Sequence, residues 1–150
     1  MKKKIIITGG LGYIGSELCK LYSGVSWNHE IIVIDNRFIS ERVNQIRNWN
    51  MEFVHGDILD KDLIKKYCSD ADVVHHLAGV TEVPRTKSES SEEKDKKIKS
   101  VAEEGTQNIL NAINNKCKII FPSTHVVFEG IEKLKNNISE EEDLKPILSY

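Results

Sequence analysis

Aliphatic residues in this chain come in short dense blocks, separated by longer stretches in which apolar positions recur every three or four residues. The blocks Lys4–Thr8 (KIIIT), Glu30–Asp35 (EIIVID), Met51–His55 (MEFVH), Asp72–Leu77 (DVVHHL) and Cys117–Pro122 (CKIIFP) have the length of strands. Several are continuously apolar instead of alternating, the pattern of parallel strands covered on both faces. Between them, Tyr13–Ser23 carries Ile14, Leu18 and Leu21 at helical spacing. Asp60–Cys68 carries Leu63, Ile64 and Tyr67, and Lys96–Asn114 carries Ile98, Val101, Ile109, Leu110 and Ile113. Phe38–Asn50 holds a short helix after the second strand, with boundaries the pattern leaves open. Alternation repeated this often predicts a doubly wound α/β architecture with a parallel sheet of about five strands. Right-handed crossovers then predict the strand order 3-2-1-4-5.

Composition narrows the class. A chain of 150 residues suits one domain, residues 1–150. With 21 Lys+Arg against 23 Asp+Glu, the net charge of −2 argues against nucleic-acid binding through bulk positive charge. The longest uninterrupted aliphatic run is Ile31–Ile34, far short of the ~20 apolar residues of a membrane span. Lys2–Lys4 resembles the basic start of an export signal, but only Ile5–Ile7 follow where ~7–15 apolar residues are needed. A cytoplasmic location without membrane attachment is therefore expected. Cys19, Cys68 and Cys117 are odd in number and form no C-x-x-C pair, which predicts three reduced thiols and no metal site. The mixed-sign stretch Arg85–Lys99 fits a solvated loop entering a surface helix.

The densest chemistry follows the first strand. In Thr8-Gly9-Gly10-Leu11-Gly12-Tyr13-Ile14-Gly15, glycines fall at 9, 12 and 15 between a strand and a helix. One glycine permits the tight turn, another the approach of backbone to a pyrophosphate, and the last close helix–strand packing. Free N–H groups and about half a unit of positive charge at the helix start would face the anion. This is the dinucleotide-binding, Rossmann-type arrangement.

Asp35 ends the second strand, 20 residues after Gly15, where an acid binds the adenosine ribose hydroxyls. Its carboxylate opposes a 2′-phosphate by about 4 kcal/mol per charge pair at ~4 Å and an effective dielectric of ~20, which favours NAD over NADP. Arg37, two residues on, partly offsets that preference. Gly56-Asp57-Ile58 follows the third strand on the side where an adenine lies; Asp57 either accepts from the adenine amino group or begins the next turn. His75 and His76 are adjacent in a strand, so they point to opposite faces and cannot share a metal. Leu77-Ala78-Gly79 gives a small-residue strand end that a cofactor can approach closely.

With these residues in place, the sequence resembles the extended short-chain dehydrogenase/reductase family, and within it the NAD-dependent epimerases and dehydratases of nucleotide sugars. TGGLGYIG, Asp35-Asn36, Gly56-Asp57-Ile58 and His76-Leu-Ala-Gly79 match its cofactor signatures in order. Gly105–Leu110 (GTQNIL) resembles a helix segment of the family, Phe121–Gly130 (FPSTHVVFEG) the segment carrying the catalytic hydroxyl, and Pro146–Tyr150 the approach to the catalytic tyrosine. The resemblance implies cofactor contacts at Gly9, Gly12, Tyr13, Ile14, Gly15, Asp35, Asn36, Arg37, Asp57, Ile58, Leu77, Ala78 and Gly79. It implies that Thr124 hydrogen-bonds the reacting sugar oxygen and that Tyr150 is the base, with hydride passing to NAD. Phe128 stands where the family has Tyr, Glu129 intervenes before Gly130, and Ala102 replaces an Asn.

The lysine four residues beyond that tyrosine and a substrate domain are not among these 150 residues. The chain is therefore expected to be the N-terminal, cofactor half of such an enzyme and inactive alone. A non-catalytic NAD-binding or sensing module, or a half-site completed by a partner chain, is the competing expectation. An exposed fifth strand predicts self-association into a homo-oligomer.

Overall fold

The computed structural model describes residues 1–80, 91–131 and 137–147. Five parallel strands, β1 (Lys4–Thr8), β2 (Glu30–Asp35), β3 (Glu52–His55), β4 (Val73–His76) and β5 (Lys118–Ile120), form one sheet in the order 3-2-1-4-5. The predicted topology is the observed one. β1 and β2 have the predicted limits, whereas β3, β4 and β5 are shorter at one or both ends.

The inner strands β1 and β2 are almost continuously apolar because both faces of the sheet are covered there. Ile5 and Ile7 of β1, Ile31 and Val33 of β2 pack with Leu11, Cys19, Val43 and Ile46 on one face. Ile6, Ile32, Ile34 and Val74 pack with Ile58, Ile64, Cys68 and Ile109 on the other. The first face is covered by α1 (Tyr13–Ser23) and α2 (Ser40–Asn48), the second by α3 (Lys61–Cys68) and by a helical run after β4. In α1 the buried residues are Gly15 and Cys19, while Ile14 and Leu21 are exposed. The helix therefore faces the sheet with a smaller side than its Ile14–Leu18–Leu21 spacing predicted. A glycine at the contact lets the helix lie close to the turn that precedes it.

Asp60 caps α3, its Oδ1 accepting from Leu63 N–H at 3.0 Å. The next helical run starts earlier than predicted, at Glu92. It comprises α4 (Glu92–Lys99), a π-helical stretch Ser100–Gly105 and α5 (Thr106–Ala112). Ser91 caps it, and the charges are sorted, with Glu92, Glu93 and Asp95 in the first turn and Lys96, Lys97 and Lys99 in the last. That order complements the helix dipole, which is why a stretch with little apolar periodicity is helical. Arg85–Ser90 lie outside the described residues.

β3 and β5 are the outer strands among the described residues, and Ile120 and Phe121 are exposed at the β5 side. No helix among the described residues is long and apolar enough to cross a membrane.

Candidate functional site

The carboxyl ends of β1, β2 and β4 meet at one edge of the sheet. β1 stands between strands reached by opposite crossovers, and a crevice outside strand ends at such a point is where open α/β sheets bind ligands. Thr8, the last residue of β1, is in register with Ile34 and His76, so the loop leaving it lies between Asp35 and Leu77. Gly9 N–H donates to Ile34 O at 2.8 Å, and Leu77 N–H to Thr8 O at 3.1 Å.

The glycines divide the work differently from one another. Gly9 has φ +71°, and a β-carbon there would stand 2.7 Å from the backbone of Leu77 and Ala78. Gly15 would place a β-carbon 2.4 Å from Gly9 O, so it permits the close approach of α1 to the turn. Gly12 caps α1; no side chain caps this helix and no acid lies in its first turn. Tyr13 and Ile14 are exposed, so the first-turn N–H groups and the positive end of the helix dipole are presented at the surface of the cleft.

Asp35 is buried at 5% exposure. Its Oδ2 accepts from Leu11 N–H at 2.9 Å; its Oδ1 accepts from Arg37 N–H at 3.0 Å and from Arg37 Nε at 3.4 Å. One carboxylate thus ties the end of β2 to the glycine loop and also stabilises its own turn. Arg42, from α2, donates to the Leu11 carbonyl. Across the cleft, Asp57 Oδ1 accepts from Leu59 N–H and Oδ2 from Asn36 Nδ2, each at 3.0 Å. Of the two roles open to Asp57, the turn is therefore present in the fold. Ile58 is buried and held from the helical run after β4: Asn108 Nδ2 donates to its carbonyl at 3.0 Å, and a β-carbon on Gly105 would lie 2.3 Å from its Cδ1. Gly79 is exposed and faces open space.

The two histidines of β4 do face opposite ways. His75 Nε2 meets Tyr22 Oη of α1 at 2.8 Å, and burial lowers the pKa of the imidazole. His76 is 2% exposed, with Nδ1 2.9 Å from Thr8 Oγ1 and Nε2 3.0 Å from Thr106 Oγ1. Burial pushes its pKa down to about 4, so it is neutral at pH 7. Ala78 N–H donates to Thr8 Oγ1 at 3.3 Å. Thr8 and Thr106 thus join the end of β1, the end of β4 and the start of α5 through one ring. Thr8 begins the TGGLGYIG motif and Thr106 and Asn108 lie in the GTQNIL segment, though neither motif shows that these side chains meet His76 and Ile58; Arg42 had no signal in the sequence beyond its own polarity.

Thr124 caps a short 3-10 turn, His125–Phe128, accepting from Val126 N–H at 3.3 Å. Among the described residues its hydroxyl hydrogen has no acceptor of its own. It lines a cavity of about 380 Å³ with Ser123, His125, Val127, Phe128, Glu140 and Leu144. Lys145 N–H donates to Val127 O at 2.7 Å and Gly130 N–H to Lys145 O at 2.8 Å, which returns the chain to this side. A β-carbon on Gly130 would lie 2.4 Å from Lys145 O, so the glycine after Glu129 is required by that return. Tyr150 lies outside the described residues.

Comparison with known proteins adds a family. Residues 6–148 match the model of the 3-beta hydroxysteroid dehydrogenase/isomerase family. The chain is 37% identical over 149 residues to the CDP-paratose 2-epimerase of Salmonella typhi, covering 91% of this chain and 41% of that protein. Among solved structures, the UDP-Glc/GlcNAc 4-epimerase of Campylobacter jejuni is 27% identical with a TM-score of 0.79, over 99% of this chain and 44% of that one. The dTDP-glucose 4,6-dehydratase of Streptomyces venezuelae, solved with NAD bound, shares the fold at 24% identity and a TM-score of 0.79, over 98% of this chain and 47% of that one. The chain spans about two fifths of the length of the curated relatives it matches.

Proposed function

The chain belongs to the 3-beta hydroxysteroid dehydrogenase/isomerase family, and from that premise we propose that these residues are the NAD-binding part of an epimerase or dehydratase acting on a nucleotide sugar. The carrying observation is the hydrogen bond from Leu11 N–H to Asp35 Oδ2 at 2.9 Å. It sets the acid that suits ribose hydroxyls directly against the loop that suits a pyrophosphate.

In this reading Gly9, Gly12, Tyr13, Ile14 and Gly15 form the pyrophosphate cradle. The uncapped start of α1 fits an anion there, because a capping side chain or first-turn acid would oppose it. Asp35 receives the ribose, Asn36, Arg37, Asp57 and Ile58 border the adenine, and Leu77, Ala78 and Gly79 border the nicotinamide half. When bound, NAD supplies the hydride acceptor. Thr124 donates its hydroxyl hydrogen to the reacting sugar oxygen, and Tyr150 removes the proton from that oxygen. The nucleotide-sugar assignment is supported by the epimerases and the dehydratase named above, which differ in reaction but share that substrate class by name.

Calorimetric titration tests the cofactor half. Saturable NAD binding is expected. Asp35→Asn keeps an acceptor for Leu11 N–H but removes the charge, and is expected to weaken NAD by roughly tenfold. A chain that melts cooperatively yet binds no NAD refutes the reading. In a longer protein containing these residues, Thr124→Val is expected to lower kcat by on the order of a hundredfold while leaving NAD affinity in place. Unchanged turnover removes Thr124 from the chemistry.

A further inference from the structure

We infer that Cys68 and Cys117 are a redox-sensitive pair, which closes into a disulfide within the folded chain when a low-molecular-weight disulfide such as oxidised glutathione is in excess. Cys68 ends α3 and is fully buried in the core on that face of the sheet, with Ile64, Ala71 and Val74. Cys117 stands at the entry to β5 and packs on the same core while remaining half-buried. Backbone and side-chain hydrogen bonds bring the two to one corner. Ala71 N–H donates back to Cys68 O at 3.1 Å, Asn114 Nδ2 donates to Ser69 O at 3.2 Å and to Ala71 O at 3.4 Å, and Lys118 N–H donates to Asp72 O at 2.9 Å. The chain on either side of Cys117 is thus fastened to the residues that follow Cys68.

The thiols also sense each other. Burial first, and then the Cys117 sulfur, pushes the Cys68 thiol up to about 12. The Cys117 thiol is in reach of the Val74 backbone, and burial and the Asp72 carboxylate raise its pKa. Lys4 and Asp70, joined as an ion pair, act on Cys68 with opposite signs. Cys19 belongs to the core on the other face, beyond the sheet.

Exposure sets the order of events. The Cys117 thiol loses its proton, and the thiolate attacks one sulfur of oxidised glutathione, forming a mixed disulfide and releasing a glutathione thiolate that takes up a proton. The Cys68 thiolate then attacks the Cys117 sulfur. The mixed disulfide breaks, and the second glutathione leaves and takes up the proton that Cys68 lost. Two protein thiols have become one disulfide, and one oxidised glutathione has become two reduced ones. Both steps need thiolates that these surroundings disfavour, so the exchange is slow at neutral pH and quickens as pH rises. Cys68 meets only the sulfur already bonded to Cys117, so it stays closed to reagents in solution.

The test is intact-mass spectrometry and non-reducing peptide mapping of the native wild-type chain after incubation with oxidised glutathione at about pH 8.5, where more of each thiol is ionised. The expected product has lost two hydrogens, carries no glutathione, joins the Cys68 and Cys117 peptides, and reverts with dithiothreitol. Cys19→Ala is expected to give the same product. Cys68→Ala is expected to halt with one glutathione on Cys117, and Cys117→Ala to react at least about tenfold more slowly. A wild-type chain that stays reduced, stops at one glutathione, or links through Cys19 or between two chains overturns the inference. So does a Cys68–Cys117 link that forms in urea but not in the native chain, because the fold would then hold the thiols apart. The wild-type result alone decides, whether or not a variant folds.

Discussion

Lowering the pH should unlock the fold at His76, and the size of the effect follows from its surroundings. The ring is 2% exposed and flanked by two threonine hydroxyls and the Phe121 ring, whose centroid is 5.4 Å away. Thr8 Oγ1 already accepts from Ala78 N–H. The network closes if the Thr8 hydroxyl donates to Nδ1 and Nε2–H donates to Thr106, which is a neutral ring. Burial holds its pKa at about 4 against 6.5 in the unfolded chain. Between those values the unfolded chain carries a proton the folded one does not, so stability rises with pH across the window. It is complete above 6.5, falls as pH drops toward 4, and stops falling once the folded ring also protonates. At 1.36 kcal/mol per pKa unit the whole loss is about 3 kcal/mol. Urea melts of the wild type and of His76→Gln, taken every half unit from pH 4 to 7.5, isolate it. His75 titrates in the same direction in both proteins and cancels in the difference, as do the carboxylates. The wild-type curve should lose up to about 1.4 kcal/mol per pH unit relative to the variant. Parallel curves would mean that His76 is solvated or already paired, and the argument from burial fails.

Other consequences concern backbone, caps and thiols. Gly9→Ala forces a β-carbon into the Leu77–Ala78 backbone at φ +71°. It should cost at least about 2 kcal/mol, seen as a fall in Tm of roughly 5 °C or more. Asp60→Ala removes the cap of α3 and should cost about 1 kcal/mol by denaturant titration, with NAD affinity unchanged. Cys19 and Cys68 are fully buried, and burial pushes their thiols up to about 12, whereas Cys117 is half-buried. An aromatic disulfide reagent should therefore modify one thiol readily in the native chain and three after denaturation; rapid native modification of Cys19 or Cys68 contradicts the packing.

The parts legible in the sequence are those whose cause is local. A β-strand covered on both faces must be apolar at every position, so β1 and β2 show their limits directly, and a sharp turn between strand and helix needs glycine, so Gly9 through Gly15 show the loop. Asp35 was legible by spacing, yet half of its role was not. Its hydrogen bond to Leu11 N–H joins residues 24 apart, and no pattern in either segment encodes the other. The same holds for the ring of His76, whose two partners lie 68 residues before it and 30 after it. A histidine in an apolar strand announces that it is buried and therefore hydrogen-bonded. Which hydroxyls it meets depends on the register of β1 against β4 and on where the π-helical stretch delivers Thr106, both products of the assembled sheet.

The helix misread at its start makes the same point from the other side. Glu92–Lys99 has little apolar periodicity because only Ile98 is buried, so the hydrophobic pattern is silent over those residues. What places the helix there is the order of its charges and the cap at Ser91, signals that act within one or two turns. Read for charge order first, that stretch yields the helix; read for hydrophobicity, it yields a loop. The segment continues to Gly105, which ends the π-helical stretch, and to Asn108 of α5, the two residues that pack on and hold Ile58. A helix with one buried residue in its first two turns is thus continuous with the element that holds Ile58. Weakening the Ser91 cap should accordingly loosen the start of the helix while Asn108 and Ile109, anchored by burial, keep Ile58 in place.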